Sequence, residues 1–498
     1  MKAITVSEMR SLENAAIENG WPEERLMESA GERLAHAFSR FFPEPGTVVA
    51  YLGKGHNAGD ALVALRFLRD QFHWKIAIRP AFSPEQWAPL TRVKSFELGA
   101  VEHFQSTSPW EILKRPLVLL DALLGIGAKG GLRAPLTAFS EEMNDLRAHA
   151  GAKTAALDVP SGVDPDSGEI HARAVTADIT FMIGAPKRGL LPEQAADATG
   201  ALSLVQVDPL NPPPGGDFQL ISPRSVASCR MPRPFSFHKG NAGRVGILAG
   251  SGSYSGAAVL AATGALRGGA GLVTLHVPAD AVGAVTAKVP SEIIVRPCDD
   301  PRELLQARYD SLVIGCGLHS DDGDFRNGVK DLISGATVPT VIDAEALNLL
   351  SKENALSLLT RHHLLTPHPG EFQRLAPDLA GTPREEAARL FADRSPATLL
   401  LKGCRTIVTR AGAPLWFNPT GTPGMATGGQ GDLLAGVLGA LLAIGNDPVD
   451  AAATGAWLCG RAAERALLDP TLSIQSLLPS DVLRHLGGAF NDWAERTR

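Results

Sequence analysis

Residues 418–432 read Asn-Pro-Thr-Gly-Thr-Pro-Gly-Met-Ala-Thr-Gly-Gly-Gln-Gly-Asp, and an apolar run with a helical pattern follows from Leu433. A glycine cluster that opens a helix lets backbone N–H groups approach an anion closely, and the helix dipole favours negative charge at that end. Asp432 lies at the same helix start, where a carboxylate repels a phosphate unless it acts as a base or holds a metal ion. The stretch therefore predicts phosphoryl chemistry on a hydroxyl group. A glycine-rich turn capped by Asp432 is the structural alternative.

The composition narrows the class of protein. The chain has 498 residues, enough for more than one domain, and 47 Lys and Arg against 53 Asp and Glu give a net charge of -6 without a basic block. This balance argues against a nucleic-acid partner. The five cysteines are scattered without Cys-x-x-Cys spacing, and no apolar run is long enough to cross a bilayer. We therefore expect a cytoplasmic protein without a membrane partner.

A proline-rich seam divides the sequence. Between Asp208 and Phe235 the chain carries prolines at a density that no helix or central strand tolerates. Both flanking halves alternate short apolar runs with helical patterns, which is typical of parallel sheets covered by helices. We predict an α/β domain over residues 1–210, a linker over 211–234 and a second α/β domain over 235–498.

Three candidate strands of the first half end in polar, glycine-rich loops. The loops cover residues 53–60, 121–131 and 158–164. Because ligands bind beyond the carboxyl ends of strands in open parallel sheets, we expect the three loops to meet at one crevice. The strand candidates of this half are 47–52, 75–78, 117–120, 154–157, 179–183 and 202–207.

The side chains on these loops suit a cation, a phosphate and a proton transfer. Asn57, Asp121 and Ser161 offer an amide oxygen, a carboxylate and a hydroxyl, which favour a monovalent or hard divalent cation over zinc. The glycine loop 125–131 suits a phosphate approached by main-chain N–H groups. Asp158 is then available for proton transfer. The alternative for Asp121 and Asp158 is that each caps the following helix or turn.

Motifs of the first half resemble the NAD(P)H-hydrate epimerase family. The similarity lies in residues 9–31, in Gly-Lys-Gly-His-Asn-Ala-Gly-Asp at 53–60 and in Leu-Asp-Val-Pro-Ser-Gly-Val-Asp at 157–164. The resemblance implies a Rossmann-like three-layer fold, a potassium ion and an acid/base role for Asp158. The implied potassium ligands are Asn57, Asp121 and Ser161. The implied substrate contacts are His56, Asn57, Ala58, Gly59, Asp60, Gly125, Ile126, Gly127, Ala128, Lys129, Gly130, Gly131 and Asp158.

This half departs from the commoner family pattern Asn-Asn-Gly-Gly-Asp-Gly, because it has His56, Ala58 and Ala61. We expect the added methyl groups of the two alanines to narrow the substrate pocket. The departure keeps a different class of function open, in which residues 1–208 are a noncatalytic ligand-binding module. The carboxylates and the amide that remain on the three loops argue against that alternative.

Motifs of the second half resemble the ADP-dependent NAD(P)H-hydrate dehydratase, whose fold is similar to ribokinase. The matching blocks are 237–245, 256–273, 315–318, 366–371, 401–403 and the opening stretch. The resemblance implies ADP as co-substrate, and magnesium is expected on the nucleotide. The implied substrate contacts are Gly317, His368, Glu371 and Asp432. The implied nucleotide contacts are Lys402, Gly403, Cys404, Arg405, Thr406, Thr427, Gly428, Gly429, Gln430 and Gly431.

The residues of the opening stretch support this chemistry directly. A nicotinamide hydrate carries a hydroxyl beside the ring nitrogen, and hydroxide is a poor leaving group. Phosphoryl transfer from a nucleotide turns the hydroxyl into phosphate, which the ring nitrogen can expel. Asp432 would accept the hydroxyl proton, while Gly428, Gly429 and Gly431 supply N–H groups to the charge on the transferred phosphate.

The two resemblances cover nearly the whole chain and predict a bifunctional repair enzyme. The first half would interconvert the R and S hydrates of NADH and NADPH (NADHX and NADPHX), with Asp158 as acid and base. The second half would dehydrate the S form to NAD(P)H at the expense of ADP, giving AMP and phosphate. The family generally assembles into homo-oligomers, so we expect one here.

A ribokinase-like small-molecule kinase is the main rival, with Asp432 activating an alcohol and the phosphate staying on the product. Apart from this rival, two residues have a structural alternative of their own: Lys402 as a solvated lysine at a strand end, and His368, between two prolines, as an incidental residue of a rigid turn. The glycine and aspartate block alone does not exclude this rival. Blocks 237–245 and 366–371 favour the dehydratase.

Overall fold

The computed structural model describes residues 1–105, 110–226, 229 and 233–497. The chain forms two compact units, Met1–Leu220 and Ile221–Arg498. Part of the predicted linker 211–234, namely residues 227, 228 and 230–232, lies outside the described residues. Among the helices of the described ranges, none is long and apolar enough to cross a membrane.

The first unit combines a parallel sheet with helices. Its strands are β1 (Thr47–Leu52), β2 (Lys75–Pro80), β3 (Glu102–His103), β4 (Leu117–Ala122), β5 (Lys153–Leu157), β6 (Ile179–Ile183), β7 (Ala201–Val205) and the short β8 (Phe218–Leu220). Its α-helices are α1 (Val6–Glu18), α2 (Glu23–Phe41), α3 (His56–Asp70), α4 (Pro89–Leu98), α5 (Leu136–His149) and α6 (Ala196–Thr199).

The sheet of this unit is buried on both faces. Seven strands lie in the order β3-β2-β1-β4-β5-β6-β7, and all neighbours pair in parallel. Along β1, Val48 and Ala50 pack into one apolar cluster while Val49 and Tyr51 pack into another. Since successive side chains of a strand point to opposite faces, the sheet is the middle of three layers. The predicted Rossmann-like three-layer fold is confirmed, and the order from β3 to β6 is that of dinucleotide-binding folds.

The six strand candidates of the first half all fall on observed strands. Two of them, 47–52 and 179–183, have the predicted bounds. The last candidate, 202–207, is displaced, because β7 begins at Ala201 and ends at Val205. The ends of a strand depend on its hydrogen bonds with neighbouring strands, and the sequence of the strand itself does not show where those bonds stop.

The second unit is also α/β. Its strands are β9 (Arg244–Leu248), β10 (Leu272–Val277), β11 (Ile294–Pro297), β12 (Ser311–Ile314), β13 (Thr340–Ile342), β14 (His363–Leu365), β15 (Thr398–Leu401), β16 (Ile407–Thr409) and β17 (Leu415–Phe417). Its α-helices are α7 (Ser255–Arg267), α8 (Val282–Thr286), α9 (Gly323–Gly335), α10 (Glu345–Lys352), α11 (Pro369–Leu375), α12 (Arg384–Arg394), α13 (Gln430–Ala443), α14 (Pro448–Ala466) and α15 (Pro479–Thr497).

The strands of this unit lie in the order β11-β10-β9-β12-β13-β14-β15-β16-β17. Pairing is parallel from β11 to β15, and β16 and β17 add an antiparallel edge. The chain order reverses between β9 and β12, so a crevice is expected at the carboxyl ends of these strands.

Glycines fix the position of α13. A Cβ on Gly264 of α7 would lie 2.4 Å from the carbonyl oxygen of Leu433, and one on Gly436 would lie 1.9 Å from that of Ala261. The two helix backbones therefore pass too closely for any side chain at these positions. This contact holds the N-terminal end of α13 in place.

Two helices begin earlier than the sequence patterns indicated. The stretch 53–60 is not a loop throughout, because α3 begins at His56 with Gly55 as its N-cap. Likewise α13 begins at Gln430 rather than Leu433, with Gly429 as N-cap at φ 95°. Asp432 consequently lies in the first turn of α13, at the end where the main-chain N–H groups have no helical partner.

Candidate active sites in the two units

The three predicted loops of the first unit meet at the carboxyl ends of β1, β4 and β5. The Asn57 side-chain amide donates hydrogen bonds to the carbonyl oxygens of Leu124 (3.0 Å) and Leu157 (3.3 Å). The carboxylate of Asp121 accepts from the Ser161 main-chain N–H and hydroxyl, each at 2.7 Å. The structure therefore brings all three predicted cation ligands to the edge where the strand order reverses between β1 and β4.

The chemistry of these three residues fits a hard cation. Asp121 is fully buried, and burial raises its pKa to about 6. No cationic side chain in the described ranges forms a hydrogen bond or ion pair with it. The Asn57 amide nitrogen is used by two carbonyl groups, which leaves its oxygen as the atom available to a cation. Such oxygen-only sets suit potassium or sodium better than zinc.

Asp158 is held by a lysine that the sequence analysis did not single out. Its Oδ1 atom accepts hydrogen bonds from the Lys187 ammonium and from the Ile183 N–H at 2.9 Å. Lys187 is only 1% exposed and also donates to the Ile183 carbonyl oxygen at 2.7 Å. Its position shortly after β6, beside β5 in the sheet, is the signal that could have indicated it. Asp158 has φ 70°, a backbone conformation that costs a non-glycine residue about 1–3 kcal/mol and often marks a functional site.

Two further carboxyl groups, those of Asp60 and Glu13, interact with the charges of Asp158 and Lys187. Burial raises the pKa of Asp60 well above its ordinary value, and the charges of Asp158 and Glu13 raise it further. Burial likewise raises the pKa of Glu13 on α1, with Asp158 adding to the rise and Lys187 opposing it. The cluster therefore contains one ammonium and three carboxylates, of which Glu13 was not predicted. In other active sites, environments that move the pKa values of neighbouring carboxyl groups apart make one of them an acid and another a base.

The predicted contacts from Ala58 and Gly59 are not supported by their positions. Ala58 and Ala61 have no exposed surface and belong to the apolar core, so the prediction that their methyl groups narrow the pocket is wrong. Gly59 is buried as well, and a Cβ there would lie 2.5 Å from the Met27 methyl group. Because the segment is helical, Asn57 and Asp60 share one face while these three residues turn inward. His56 is half-exposed, with its Nδ1 atom 3.1 Å from Glu23 on α2.

The predicted phosphate loop 125–131 is a surface turn at the same edge. The Ala128 N–H donates to the Gly125 carbonyl oxygen at 3.2 Å, and Lys129, Gly130 and Gly127 are exposed. Ile126 packs against the apolar core and anchors the turn, and Gly131 lies beside His171.

In the second unit, a thiol and two carboxylates lie close together, and an ammonium pairs with one of the carboxylates. One ligand atom each from Cys316, Asp343 and Asp432 lies within 4.8 Å of the others. The Lys402 ammonium is 2.8 Å from Asp343 Oδ1 and 3.9 Å from Glu371 Oε2. Asp343 is only 1% exposed and was not predicted, although it directly follows the apolar strand β13. The side chains come from loops after different strands and meet at the start of α13.

Burial and charge set the proton affinity of this cluster. Burial raises the pKa of Asp432 to about 6, the neighbouring Asp343 carboxylate adds to the rise, and Lys402 opposes it. Burial disfavours the charge on Lys402, yet the Asp343 and Glu371 carboxylates raise the pKa of its ammonium above the ordinary value. Burial also raises the pKa of the Cys316 thiol well above its usual range. Asp432 is thus a carboxylate whose pKa lies near the range that a general base requires.

The glycines at the start of α13 leave room for an anion at Gly428 and bring the main chain of Gly431 close to the Lys402 ammonium. A Cβ on Gly428 would meet nothing within 4 Å, and one on Gly431 would lie 3.1 Å from the Lys402 ammonium. Both polar atoms of the Gln430 side chain are buried without a hydrogen-bond partner among the described residues. Thr427 is exposed, and its hydroxyl lies 3.5 Å from the Leu477 carbonyl oxygen. An open glycine turn with an unpaired amide at a helix N-terminus fits the phosphates of a nucleotide.

The predicted nucleotide loop 402–406 is braced by Arg384 from α12. The guanidinium donates to the carbonyl oxygens of Lys402 (3.1 Å) and Cys404 (2.8 Å). The Thr406 hydroxyl closes the loop on the Gly403 carbonyl oxygen at 3.1 Å. Gly403 and Cys404 are exposed, whereas burial lowers the pKa of Arg405.

The remaining predicted substrate contacts lie after β12 and β14. His368 is the N-cap of α11, since its Nδ1 atom accepts from the Gly370 N–H at 3.1 Å, and half of its side chain is exposed. Glu371 is buried and accepts from the His368 N–H at 2.8 Å. At Gly317, φ is 60° and a Cβ would lie 2.6 Å from Ala257 Cβ, so this position requires glycine.

Comparison with known proteins identifies the family. Residues 23–189 match the model of the YjeF-related protein N-terminus, and residues 245–485 match the NAD(P)H-hydrate dehydratase model. The bifunctional NAD(P)H-hydrate repair enzyme of Gloeobacter violaceus is 34% identical over 96% of this chain and 97% of its own length. The chain belongs to the bifunctional NAD(P)H-hydrate repair enzyme family. Membership confirms the predicted family and the prediction that the chain is an enzyme.

Two solved structures resemble the second half. A ribokinase-like superfamily protein from Enterococcus faecalis is 25% identical, with a TM-score of 0.49, and matches 57% of this chain and 99% of its own. The ADP/ATP-dependent NAD(P)H-hydrate dehydratase of Bacillus subtilis, co-crystallised with ATP and Mg²⁺, is 27% identical, with a TM-score of 0.47, and matches 56% and 100%. In this bifunctional repair enzyme the second unit is α/β and carries the match to the NAD(P)H-hydrate dehydratase model, while its likeness to ribokinase stays a prediction.

Proposed function

We propose that residues 1–210 interconvert the R and S hydrates of NADH and NADPH, and that residues 235–498 dehydrate the S form at the expense of ADP. The products are NAD(P)H, AMP and phosphate. The observation that carries this proposal is the partly buried Asp432 carboxylate in the first turn of α13, beside the open turn at Gly428. In a family of hydrate repair enzymes, a base beside a phosphate-binding turn can deprotonate the substrate hydroxyl for phosphorylation, after which the oxygen leaves as phosphate rather than as hydroxide.

In the second unit, each residue has a distinct part in the reaction. Asp432 accepts the proton of the substrate hydroxyl as the phosphoryl group arrives. The N–H groups of Gly428 and Gly431 and the ammonium of Lys402 stabilise the charge on that phosphoryl group. Asp343 holds Lys402 in place through the contact of 2.8 Å. Expulsion of phosphate by the ring nitrogen leaves an iminium ion, and loss of a proton from the neighbouring ring carbon to solvent or to the released phosphate then restores the dihydronicotinamide of NAD(P)H.

ADP and Mg²⁺ fit this site to different degrees. The nucleotide phosphates fit the turn at Gly428 and Gly431. The Gln430 side-chain amide, whose two polar atoms have no partner among the described residues, offers the bound nucleotide a hydrogen-bond donor and an acceptor. Bound ADP supplies the phosphoryl group. The cluster of Cys316, Asp343 and Asp432 is not a magnesium cage, because one member is a thiol and Asp343 is taken by Lys402. We propose that magnesium is held chiefly by the phosphates and water, as is usual for this ion.

In the first unit, Asp158 carries the proton in both directions. Inversion at the hydrated carbon requires reversible cleavage there, by ring opening or by loss and return of water, and each route needs one acid/base group. The Lys187 ammonium orients Asp158, and Asn57, Asp121 and Ser161 would hold potassium. Bound potassium would supply a fixed positive charge beside the substrate. The homo-oligomer stays a prediction.

The direct test supplies a mixture of both epimers of NADH hydrate with ADP, magnesium and potassium, and follows the absorbance of NADH. We expect complete conversion of both epimers. Conversion that stops when the S epimer is consumed would leave the dehydratase in place and make the first unit a binding module. Absence of any conversion would contradict the proposal and favour the kinase alternative.

The pH dependence of dehydration tests the role of Asp343. Because burial and the Asp343 charge raise the pKa of Asp432 to about 6, kcat/KM for the S epimer should fall as the pH drops below this value. The charged and titratable groups that face Asp432 are the charged Asp343, Lys402 and Glu371 and the neutral Cys316 thiol. We expect Asp343→Asn to move the acid limb of the profile down by about 1 pH unit. If the Asp343→Asn variant has a lower maximal kcat/KM but the same pH midpoint on the acid side, Asp343 has only a structural role.

Potassium should stabilise the first unit in a pH-dependent way. Since the folded-state pKa of Asp121 is raised to about 6, its neutral form favours folding at low pH, and this contribution is lost as the pH rises through 6. A bound cation reverses the loss by pairing with the carboxylate. At potassium concentrations of ten to a hundred times Kd, we expect about 1–3 kcal/mol of stabilisation above pH 6, and less below it.

The measurement is amide hydrogen exchange of peptides spanning residues 121–131, in potassium chloride and in tetramethylammonium chloride of equal ionic strength. Asp121→Asn should abolish the difference between the two salts. Asp145→Asn, which removes an exposed carboxylate from α5, should preserve it. Equal protection in both salts for the unmodified protein would contradict a cation site at Asp121.

A further inference from the structure

The N-terminal helix α1 is attached directly to the loop that carries Lys187. The Ile4 N–H donates to the Pro186 carbonyl oxygen at 2.9 Å, and the Ile4 carbonyl oxygen accepts from the Arg188 N–H at 3.0 Å. Thr5 and Glu8 then cap α1 with reciprocal hydrogen bonds. These contacts fix α1 against the edge of the sheet where the first candidate site lies.

One face of α1 is turned to that site. Glu13 interacts electrostatically with Asp158 and Lys187. Arg10, three residues earlier and so on the same face of the helix, reaches the predicted phosphate loop: its Nη2 atom would lie 3.5 Å from a Cβ on Gly127. The helix therefore places a cation beside the glycine turn and a carboxylate beside the acid/base cluster.

The Arg10 guanidinium acts on its surroundings only through its charge, which lowers the pKa of Glu13, as far as the described residues show. Within the part of the chain that the structure describes, it forms no hydrogen bond and no ion pair, and the residue is exposed. A guanidinium beside exposed N–H groups of a glycine turn is suited to a phosphate or pyrophosphate, which arginine can bind through two parallel hydrogen bonds.

We propose that Arg10 binds the pyrophosphate of the dinucleotide hydrate at the first site, together with the main chain of residues 125–131. This inference rests on the proposed epimerase function and adds a residue that determines substrate affinity. Arg10 contacts the part of the substrate that does not change in the reaction. Its loss should therefore weaken binding of the ground state and the transition state alike.

The test measures exchange between the two epimers of NADH hydrate by chromatography, without ADP so that dehydration does not proceed. We expect Arg10→Ala to raise KM about 10-fold or more while kcat changes by less than about 3-fold. The inhibition constant of ADP-ribose against exchange should rise by a similar factor. Arg10→Lys should recover part of the loss, because it restores the charge without the planar fork.

Two controls separate this role from a structural one. Arg40→Ala removes an exposed arginine from the last turn of α2 and should leave both constants unchanged. Dehydration of the S epimer with ADP, by the same Arg10→Ala protein, should also be unchanged.

Several outcomes would overturn the proposal. An unchanged KM, a fall in kcat alone, or an effect confined to NADPH hydrate would each do so; the last would assign Arg10 to the 2′-phosphate. If the unmodified protein shows no exchange above the uncatalysed rate, the proposed epimerase function fails, and the role of Arg10 falls with it. That outcome is recognised before any variant is compared.

Discussion

Replacement of Asp432 by Asn is expected to lower kcat for dehydration of the S epimer by about 10³-fold, within the range that general bases contribute. The amide has nearly the shape of the carboxylate but does not accept the hydroxyl proton. Folding should not suffer, because burial and the Asp343 charge disfavour an ionised group at this position. The variant should therefore have an unfolding temperature at neutral pH no lower than that of the unmodified protein.

The measurement is a single-turnover reaction with the S epimer, ADP and magnesium. Asp393→Asn, which changes an exposed carboxylate on α12, is the matched control and should keep full activity. Exchange between the epimers should be intact in the Asp432 variant, because that reaction belongs to the other unit. Dehydration within about 10-fold of the normal rate would remove Asp432 from the role of general base.

The start of α13 could be predicted because its signals are local. Consecutive glycines, an acidic residue and an apolar run stand next to one another, so the helix start and its carboxylate are visible in one window. Asp343 could not be found in this way. Its carboxylate reaches Lys402 only because β13 and β15 both flank β14 in the sheet, an arrangement fixed by pairings across 59 residues of chain.

In the first site, too, some residues could be predicted from local sequence signals and others could not. Asn57, Asp121 and Ser161 could be placed together because each lies at or just after the carboxyl end of a strand, and parallel strands share one carboxyl edge. The inward turn of Ala58 was missed because the glycine-rich segment suggested a loop rather than the first turn of α3. Glu13 comes from a helix that precedes the first strand, and no sequence pattern states where such a helix packs.

Replacement of Asp158 by Asn is expected to lower the rate of epimer exchange by about 10²- to 10⁴-fold while sparing dehydration of the S epimer. The Asp158 carboxylate accepts hydrogen bonds from the Lys187 ammonium and the Ile183 N–H, and these two bonds fix the position of the carboxylate. Asn keeps an oxygen for these donors but does not carry the proton. Exchange is measured without ADP by chromatographic separation of the two epimers, with the uncatalysed rate subtracted.

The buried ion pair makes a second variant necessary. Because Lys187 is 1% exposed, Asp158→Asn leaves an ammonium without its counter-charge, which typically costs about 3–5 kcal/mol. The double variant Asp158→Asn with Lys187→Met removes both charges and should recover most of the stability, as reported by hydrogen exchange in β5 and β6. It should not recover exchange. If the double variant interconverts the epimers at the normal rate, Asp158 is only the structural partner of Lys187, and the acid/base group must be sought in Asp60 or Glu13.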